Sequence, residues 1–284
     1  MNIKNNYLSI DHAYLIDSGN SWATVCIFAW VHGNEPSGIH ATKQILEELW
    51  QGELSLKNWR LILVTCANQE AEKISKRFVD QDMNRLFGQE KNDSYEAKRT
   101  KELEILIEES DFFLDLHSTS NPSSPFLFTE QDSLTYAKQL WARHIVTWRA
   151  NIWPNWDSES YARKKQNCIA FTYESWCHQD IEWTQNAYDI CLQLLVWTQL
   201  LPDIYDKKKE SCTSVNILWY HTCQTDSFKY HIPVHNFMKF DTDTIIASDG
   251  DKILSIQKWH TLVMPKKIDT IIKGKEAFFW GTEG

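Results

Sequence analysis

Apolar and polar positions along this chain switch repeatedly between two periods. "WATVCIFAWV" (22–31) is a short, β-branched apolar run, the pattern of a strand covered on both faces. Pro36 and Ser37 then open "SGIHATKQILEELW", where Ile39, Ile45, Leu46 and Leu49 fall near helical spacing. Pro suits the first helical position because its missing N–H would have no partner there. The alternation recurs. "WRLILVTCAN" (59–68) predicts a strand, "SYEAKRTKELEILIEES" (94–110) a helix, and "DFFLDLHS" (111–118) and "PFLFT" (125–129) strands. Residues 133–145 read as a helix, "CIAFTYES" (168–175) as a strand, and "IEWTQNAYDICLQLLVWTQLL" (181–201) as the longest helix. Residues 69–93 are polar and irregular.

Strands alternating with helices predict an α/β layered domain with a mostly parallel central sheet. The pattern changes after "PDIYDKKKE" (202–210), a charged, Pro-containing stretch that reads as a linker. Short β-like runs follow: "SVNILWYHT", "SFKYHIPVH", "TIIAS" and "DTIIKG". The expected division is 1–205 for the α/β domain and 206–284 for a small β-rich C-terminal module.

Composition narrows the function classes. The hydrophobic share of 43% and charged share of 24% are those of a soluble globular chain. A formal net charge of −9 argues against nucleic-acid partners, which need a basic field. A few local Arg can still reverse that field inside a cleft, so a small anionic substrate fits. The seven cysteines form no C-x-x-C pair, and several fall in apolar runs, which favours a reducing compartment. The start, "MNIKNNYLSI", lacks the regions of a signal peptide, and no apolar run approaches the ~20 residues of a membrane span. The expectation is a cytoplasmic protein without a membrane partner. An oligomeric state is not predicted.

The candidate chemistry begins at the exit of the first apolar run. "AWVHGNEPSG" (29–38) places His32 and Glu35 there as H-x-x-E. A catalytic zinc takes three protein ligands and leaves one position open. Gly33 between them is expected to let the backbone turn sharply. In parallel sheets working groups gather at the carboxyl ends of strands, and "FFLDLHS" supplies His117 at such a place. Asp115, two residues earlier on the strand, shares its face and is placed to orient a ligand. Taken alone, Glu35 reads as a first-turn helix carboxylate and His117 as a buried, hydrogen-bonded His. A rival pair, His231 and His235, is interrupted by Pro233 and would span about 13 Å on a strand. Further along, "RFVDQDMNRLFG" (77–88) holds Arg77, Asn84 and Arg85. These are the donors that grip a carboxylate, with Asp80 and Asp82 placed to hold the Arg side chains.

"HGNEPSG", "RFVDQDMNRLFG" and "DLHST", in this order, resemble the succinylglutamate desuccinylase/aspartoacylase family, relatives of the zinc carboxypeptidases. "DMNRLFG" is most similar to the desuccinylases and "DLHSTSN" to the aspartoacylases; the match spans roughly residues 20 to 180. The resemblance implies a carboxypeptidase-like fold and one Zn2+ per chain held by His32, Glu35 and His117. It implies that Arg77 polarises the scissile carbonyl and that Asn84 and Arg85 hold a substrate carboxylate. It also implies a catalytic Glu after a late strand, which "AFTYESW" offers as Glu174. The aspartoacylases carry an Arg about ten residues before that Glu for a second substrate carboxylate. Here the zone reads "YARKKQN" and offers Arg163, Lys164 or Lys165, with Lys164 carried forward as the candidate. They also place a Tyr from the C-terminal module in the site, whereas "DTIIKGKEAFFW" has none.

The activity implied is hydrolysis of the amide of a small anionic N-acyl amino acid, with the C-terminal module narrowing the cleft. The alternatives are a carboxypeptidase-like metallopeptidase and a non-catalytic metal-binding relative.

Overall fold

The structure is a computed structural model. It describes residues 2–19, 23–90, 92–119, 121–140, 142–148, 157–166, 168–177, 184–202 and 212–284. In chain order the elements are β1 (Asn2–Asn5), β2 (Ala13–Asp17), β3 (Thr24–Ala29), α1 (Ser37–Gln51), β4 (Arg60–Val64), α2 (Gln69–Lys73) and α3 (Tyr95–Glu108). Then come β5 (Phe112–Thr119), β6 (Phe126–Glu130), α4 (Leu134–Ala137), β7 (His144–Trp148), α5 (Ser158–Gln166), β8 (Ile169–Cys177) and α6 (Thr184–Trp197). The remainder is β9 (Thr213–Thr222), β10 (Lys229–Tyr230), β11 (Met238–Lys239), β12 (Thr244–Asp249), β13 (Lys252–Ile256), β14 (His260–Val263) and β15 (Glu276–Glu283).

Alternating side chains of the central strands build two core layers. Val25, Ile27 and Ala29 of β3, with Leu61 and Leu63 of β4, meet Ile45 and Leu49 of α1 and Leu194 and Leu195 of α6. Cys26 and Phe28, with Ile62 and Phe113, meet Leu103 and Leu106 of α3 and Tyr161 of α5 on the other face. All six residues of β3 are buried, as its unbroken apolar run requires.

One sheet of twelve strands runs β1-β2-β4-β3-β5-β8-β6-β7-β9-β15-β14-β11. Its centre, β4-β3-β5-β8, is parallel. The sheet as a whole is mixed, because β6 runs antiparallel to β8. The link from Thr119 to Phe126 is far shorter than the dozen or more residues a parallel crossover needs. So β6 starts at the carboxyl end of the parallel strands and runs back. Beyond it, β7 pairs in parallel with β9, so the C-terminal strands extend the main sheet. Among the described residues, β10, β12 and β13 form a second sheet. The expected linker and the 205/206 division lie outside the described residues, apart from Pro202.

Several elements differ from the sequence expectation: β1, β2, β11, β13, β14 and β15 are additional strands, α5 is an additional helix, α2 forms within the stretch 69–93 expected to be irregular, and two expected elements change. The helix expected over 133–145 shrinks to α4, and its apolar end "HIVTW" becomes β7, where Ile145 and Val146 are buried. "DTIIKG" forms no strand; a 3-10 turn at Ile268–Thr270 is followed by exposed Ile272. No helix among the described residues is long and apolar enough to cross a membrane.

Candidate metal centre and catalytic cleft

Strand β3 ends at Ala29, and the next residue, Trp30, takes φ 61°. A left-handed backbone is costly for a bulky side chain. It turns the chain at once and brings His32 and Glu35 over the strand ends. The turn expected at Gly33 is present, closed by the Glu35 N–H donating to the His32 carbonyl at 3.2 Å, and Trp30 adds a bend ahead of it. Gly33 is needed for another reason: a Cβ there would lie 2.1 Å from the carbonyl carbon of Ala71 and 2.4 Å from the backbone N of Glu72. Its N–H also donates to the Arg77 carbonyl at 3.3 Å. The ligand loop and the Arg77 segment are therefore packed backbone against backbone.

His32, Glu35 and His117 are 2%, 3% and 3% exposed. One ligand atom from each lies within 4.8 Å of the others, and they are the one such group among the described residues. His32 Nδ1 is 2.9 Å from Glu35 Oε1, and His117 Nδ1 is 3.0 Å from Glu35 Oε2. The two Nδ1 atoms face each other at 3.1 Å. Each outer nitrogen meets a carboxylate: His32 Nε2 at 3.1 Å from Asp82 Oδ1, and His117 Nε2 at 3.0 Å from Asp115 Oδ2. Those carboxylates favour Nε2–H, which leaves two bare Nδ1 lone pairs pointed at each other beside an anion. That arrangement needs a cation, either a proton or a metal ion. This donor set, with a carboxylate behind each imidazole, fits a divalent metal.

Charge follows the same geometry. Burial alone would depress the His117 imidazolium, but Asp115 and Glu35 override it and raise its pKa well above the usual value. Burial would raise Glu35, yet His32 and His117 hold it well below the carboxylate range. Asp82 is also held low, as His32, Arg77 and Arg85 outweigh its burial.

Glu174 sits beside this cluster. Strands β5 and β8 place it in register with His117, so both side chains leave the sheet on one face at the carboxyl edge. It is buried, and its Oε2 has no hydrogen-bond partner among the described residues. Burial first, then the Glu35 carboxylate, push its pKa up to about 7 against the pull of His117 and Arg77. Arg77 lies across the ligand edge, 42% exposed, with Nη1 3.5 Å from Glu35 Oε1 and Nη2 3.0 Å from Asp82 Oδ2.

The loop carrying Arg77, Asn84 and Arg85 has a single organiser that the sequence pattern concealed. Glu96 of α3, fully buried, accepts from the backbone N–H groups of Val79, Asp80 and Gln81 at 2.7, 3.1 and 3.1 Å. Asn84 accepts from the Ser158 N–H at 3.0 Å, and its Nδ2 lies 3.4 Å from His117 Nε2. The Ser158 hydroxyl donates in turn to Asp115. Helix α5 thereby locks Asn84 and the His117 partner together.

These groups share a cleft of about 1630 Å³. His32, Glu35, Arg77, Asn84, Arg85, His117 and Glu174 all line it. Its far wall comes from the C-terminal strands and loops, with Tyr230 and Lys266. Lys164 is not on that wall. It is exposed on α5, while Arg163 is turned toward Glu130, Asp132 and Glu159. The Lys165 side chain lies outside the described residues. The cleft-facing residues of α5 and its N-terminal flank are instead acids, Glu159 and Asp157. His235 lines the outer wall, exposed, and neither it nor His231 joins a ligand group.

An α/β framework that gathers two imidazoles and two carboxylates at the carboxyl ends of its parallel strands defines a protein built around a candidate metal centre. The chain belongs to the succinylglutamate desuccinylase/aspartoacylase family of hydrolases, whose catalytic-domain model matches residues 21–167. It is 24% identical to the succinylglutamate desuccinylase of Erwinia tasmaniensis, over 90% of this chain and 80% of that one. An N-acyl-aromatic-L-amino acid amidohydrolase (carboxylate-forming) of Xenopus tropicalis is 34% identical over 121 residues, covering 38% of each chain. The solved structure of succinylglutamate desuccinylase from Vibrio parahaemolyticus superposes with a TM-score of 0.77 at 18% identity. It covers 96% of this chain and 86% of that one, which establishes the shared fold.

Proposed function

We propose that this protein is a zinc-dependent deacylase that hydrolyses the amide of a small, anionic N-acyl amino acid. The observation that carries the reading is the convergence of His32, Glu35 and His117 beside Glu174, whose Oε2 has no hydrogen-bond partner among the described residues. Zinc held by those three ligands would supply Lewis acidity, activating water and polarising the scissile carbonyl. Glu174 takes the proton of the attacking water and passes it to the leaving amine; a carboxyl near neutrality suits both transfers. Arg77, fixed by Asp82, presents its guanidinium where the carbonyl oxygen gains negative charge. Asn84 and Arg85 hold the carboxylate of the amino acid, so that the amide is positioned before reaction. Phe128, Trp148 and Tyr230 give the cleft aromatic walls for the apolar part of the substrate.

The test is a deacylation screen over N-acetyl and N-succinyl derivatives of aspartate, glutamate, arginine and neutral amino acids. The expected result is turnover of at least one anionic derivative, abolished by a chelator and restored by zinc. Turnover that survives complete metal removal would overturn the zinc reading. A panel of short peptides run beside it separates deacylation from exopeptidase action.

A further inference from the structure

We propose that Lys266 is the specificity-determining cation that binds a second carboxylate of the substrate, carried on the acyl group or on the amino-acid side chain. The proposal rests on the deacylase reading and adds to it the residue that selects a two-carboxylate substrate.

Three consecutive residues of the segment after β14 are pinned toward the site. The Met264 N–H donates to Asn236 Oδ1 at 2.8 Å, the Pro265 carbonyl accepts from Asn121 Nδ2 at 2.6 Å, and the Lys266 N–H donates to the Ala277 carbonyl at 2.9 Å. Asn121 lies just beyond β5, the strand that carries His117, so this bond ties the C-terminal wall to the ligand strand. Four lysines line the cleft from this side: Lys229, Lys266, Lys267 and Lys275. Lys266 alone among them is partly buried; the other three are exposed.

Lys266 has no carboxylate at ion-pair distance among the described residues. Burial lowers its pKa, Glu276 offsets part of this, and repulsion from Arg77, Arg85 and Lys275 adds to the lowering. A partly buried ammonium that shares its cleft with two guanidinium groups is stabilised by an anion bound among them. Arg85 and Asn84 are assigned to the amino-acid carboxylate, which leaves Lys266 for another. Among the described residues, helix α5 offers no competing cation. Asp157 and Glu159 face the cleft, Arg163 is already paired, and exposed Lys164 does not line it. The cation that the sequence placed on α5 has its counterpart in a segment about one hundred residues later.

Lys266→Met removes the charge and keeps the length, and Lys266→Arg restores the charge. Steady-state kinetics on two matched pairs reads the effect. N-acetyl-glutamate against N-acetyl-glutamine changes only the side-chain carboxylate. N-succinyl-alanine against its terminal amide changes only the acyl carboxylate. Lys266→Met is expected to raise KM for the carboxylate member of one pair by about 10- to 100-fold, with kcat within about twofold. The amide member should be unaffected, and Lys266→Arg should recover most of the loss. The responding pair identifies the end of the substrate that is held. An equal rise for both members of each pair, or no change in either, overturns the proposal. If the wild type turns over no compound of the wider deacylation screen, the deacylase reading fails on its own. Calorimetric binding of the same pairs to zinc-loaded protein then decides Lys266. Affinity for a carboxylate member weakened tenfold or more supports the assignment, and unchanged affinity overturns it.

Discussion

Glu174→Gln is expected to keep the metal and lose turnover by about 10²- to 10⁴-fold, the range supplied by a positioned general base. The substitution keeps shape and volume, so β8 retains its register with His117. It removes a cleft carboxylate that is in register with His117 and is not one of the three candidate ligands. The pH profile supplies a second readout. Glu174 works as a base only when deprotonated, so kcat/KM in the wild type should fall as pH drops through the carboxyl's pKa. Burial pushes that pKa up to about 7, and a bound cation would pull it down again. The acid limb is therefore expected at or below neutrality, and it should vanish in the residual activity of Glu174→Gln. Metal content equal to wild type, combined with near-normal kcat, would remove Glu174 from this role.

Gly33→Ala is expected to damage the fold and the ligand cluster together. The added methyl would meet backbone atoms of Ala71 and Glu72 at 2.1 to 2.4 Å, and backbone has no rotamer to yield. Either α2 moves away or the loop carrying His32 and Glu35 is displaced. The Gly33 N–H bond to Arg77 breaks in both cases. The cost should be about 3 kcal/mol, a fall in Tm of roughly 5–10 °C, with metal content reduced in parallel. A variant with wild-type Tm and full metal loading would show that this close approach is dispensable.

The residues most legible in the sequence were those whose role follows from position along one strand. The apolar run into His32 and the run "FFLDLHS" each announced a strand with chemistry at its carboxyl end, and His117 and Asp115 share a face by period alone. Glu174 was accessible only through family resemblance, because its partner is fixed by the pairing of β5 with β8. What stayed hidden depends on contacts between distant segments. Gly33 is the turn residue its sequence position announced, but the constraint from α2 packed above it was not legible. Glu96 looked like a surface helix carboxylate, yet it gathers three N–H groups of a loop about fifteen residues away. The "YARKKQN" stretch promised a cation in the cleft, but helical period turned Arg163 into an acidic cluster. The missing Tyr of "DTIIKGKEAFFW" has a neighbour in kind, Tyr230, brought to the cleft from a separate short strand.

The most direct test of the central claim is metal content, measured on wild-type protein and on His117→Ala purified side by side and checked for folding by circular dichroism. The account predicts about one zinc per chain in the wild type and at least a tenfold lower content in the folded variant. Equal metal in both proteins, or none in wild-type protein equilibrated with zinc, would contradict it.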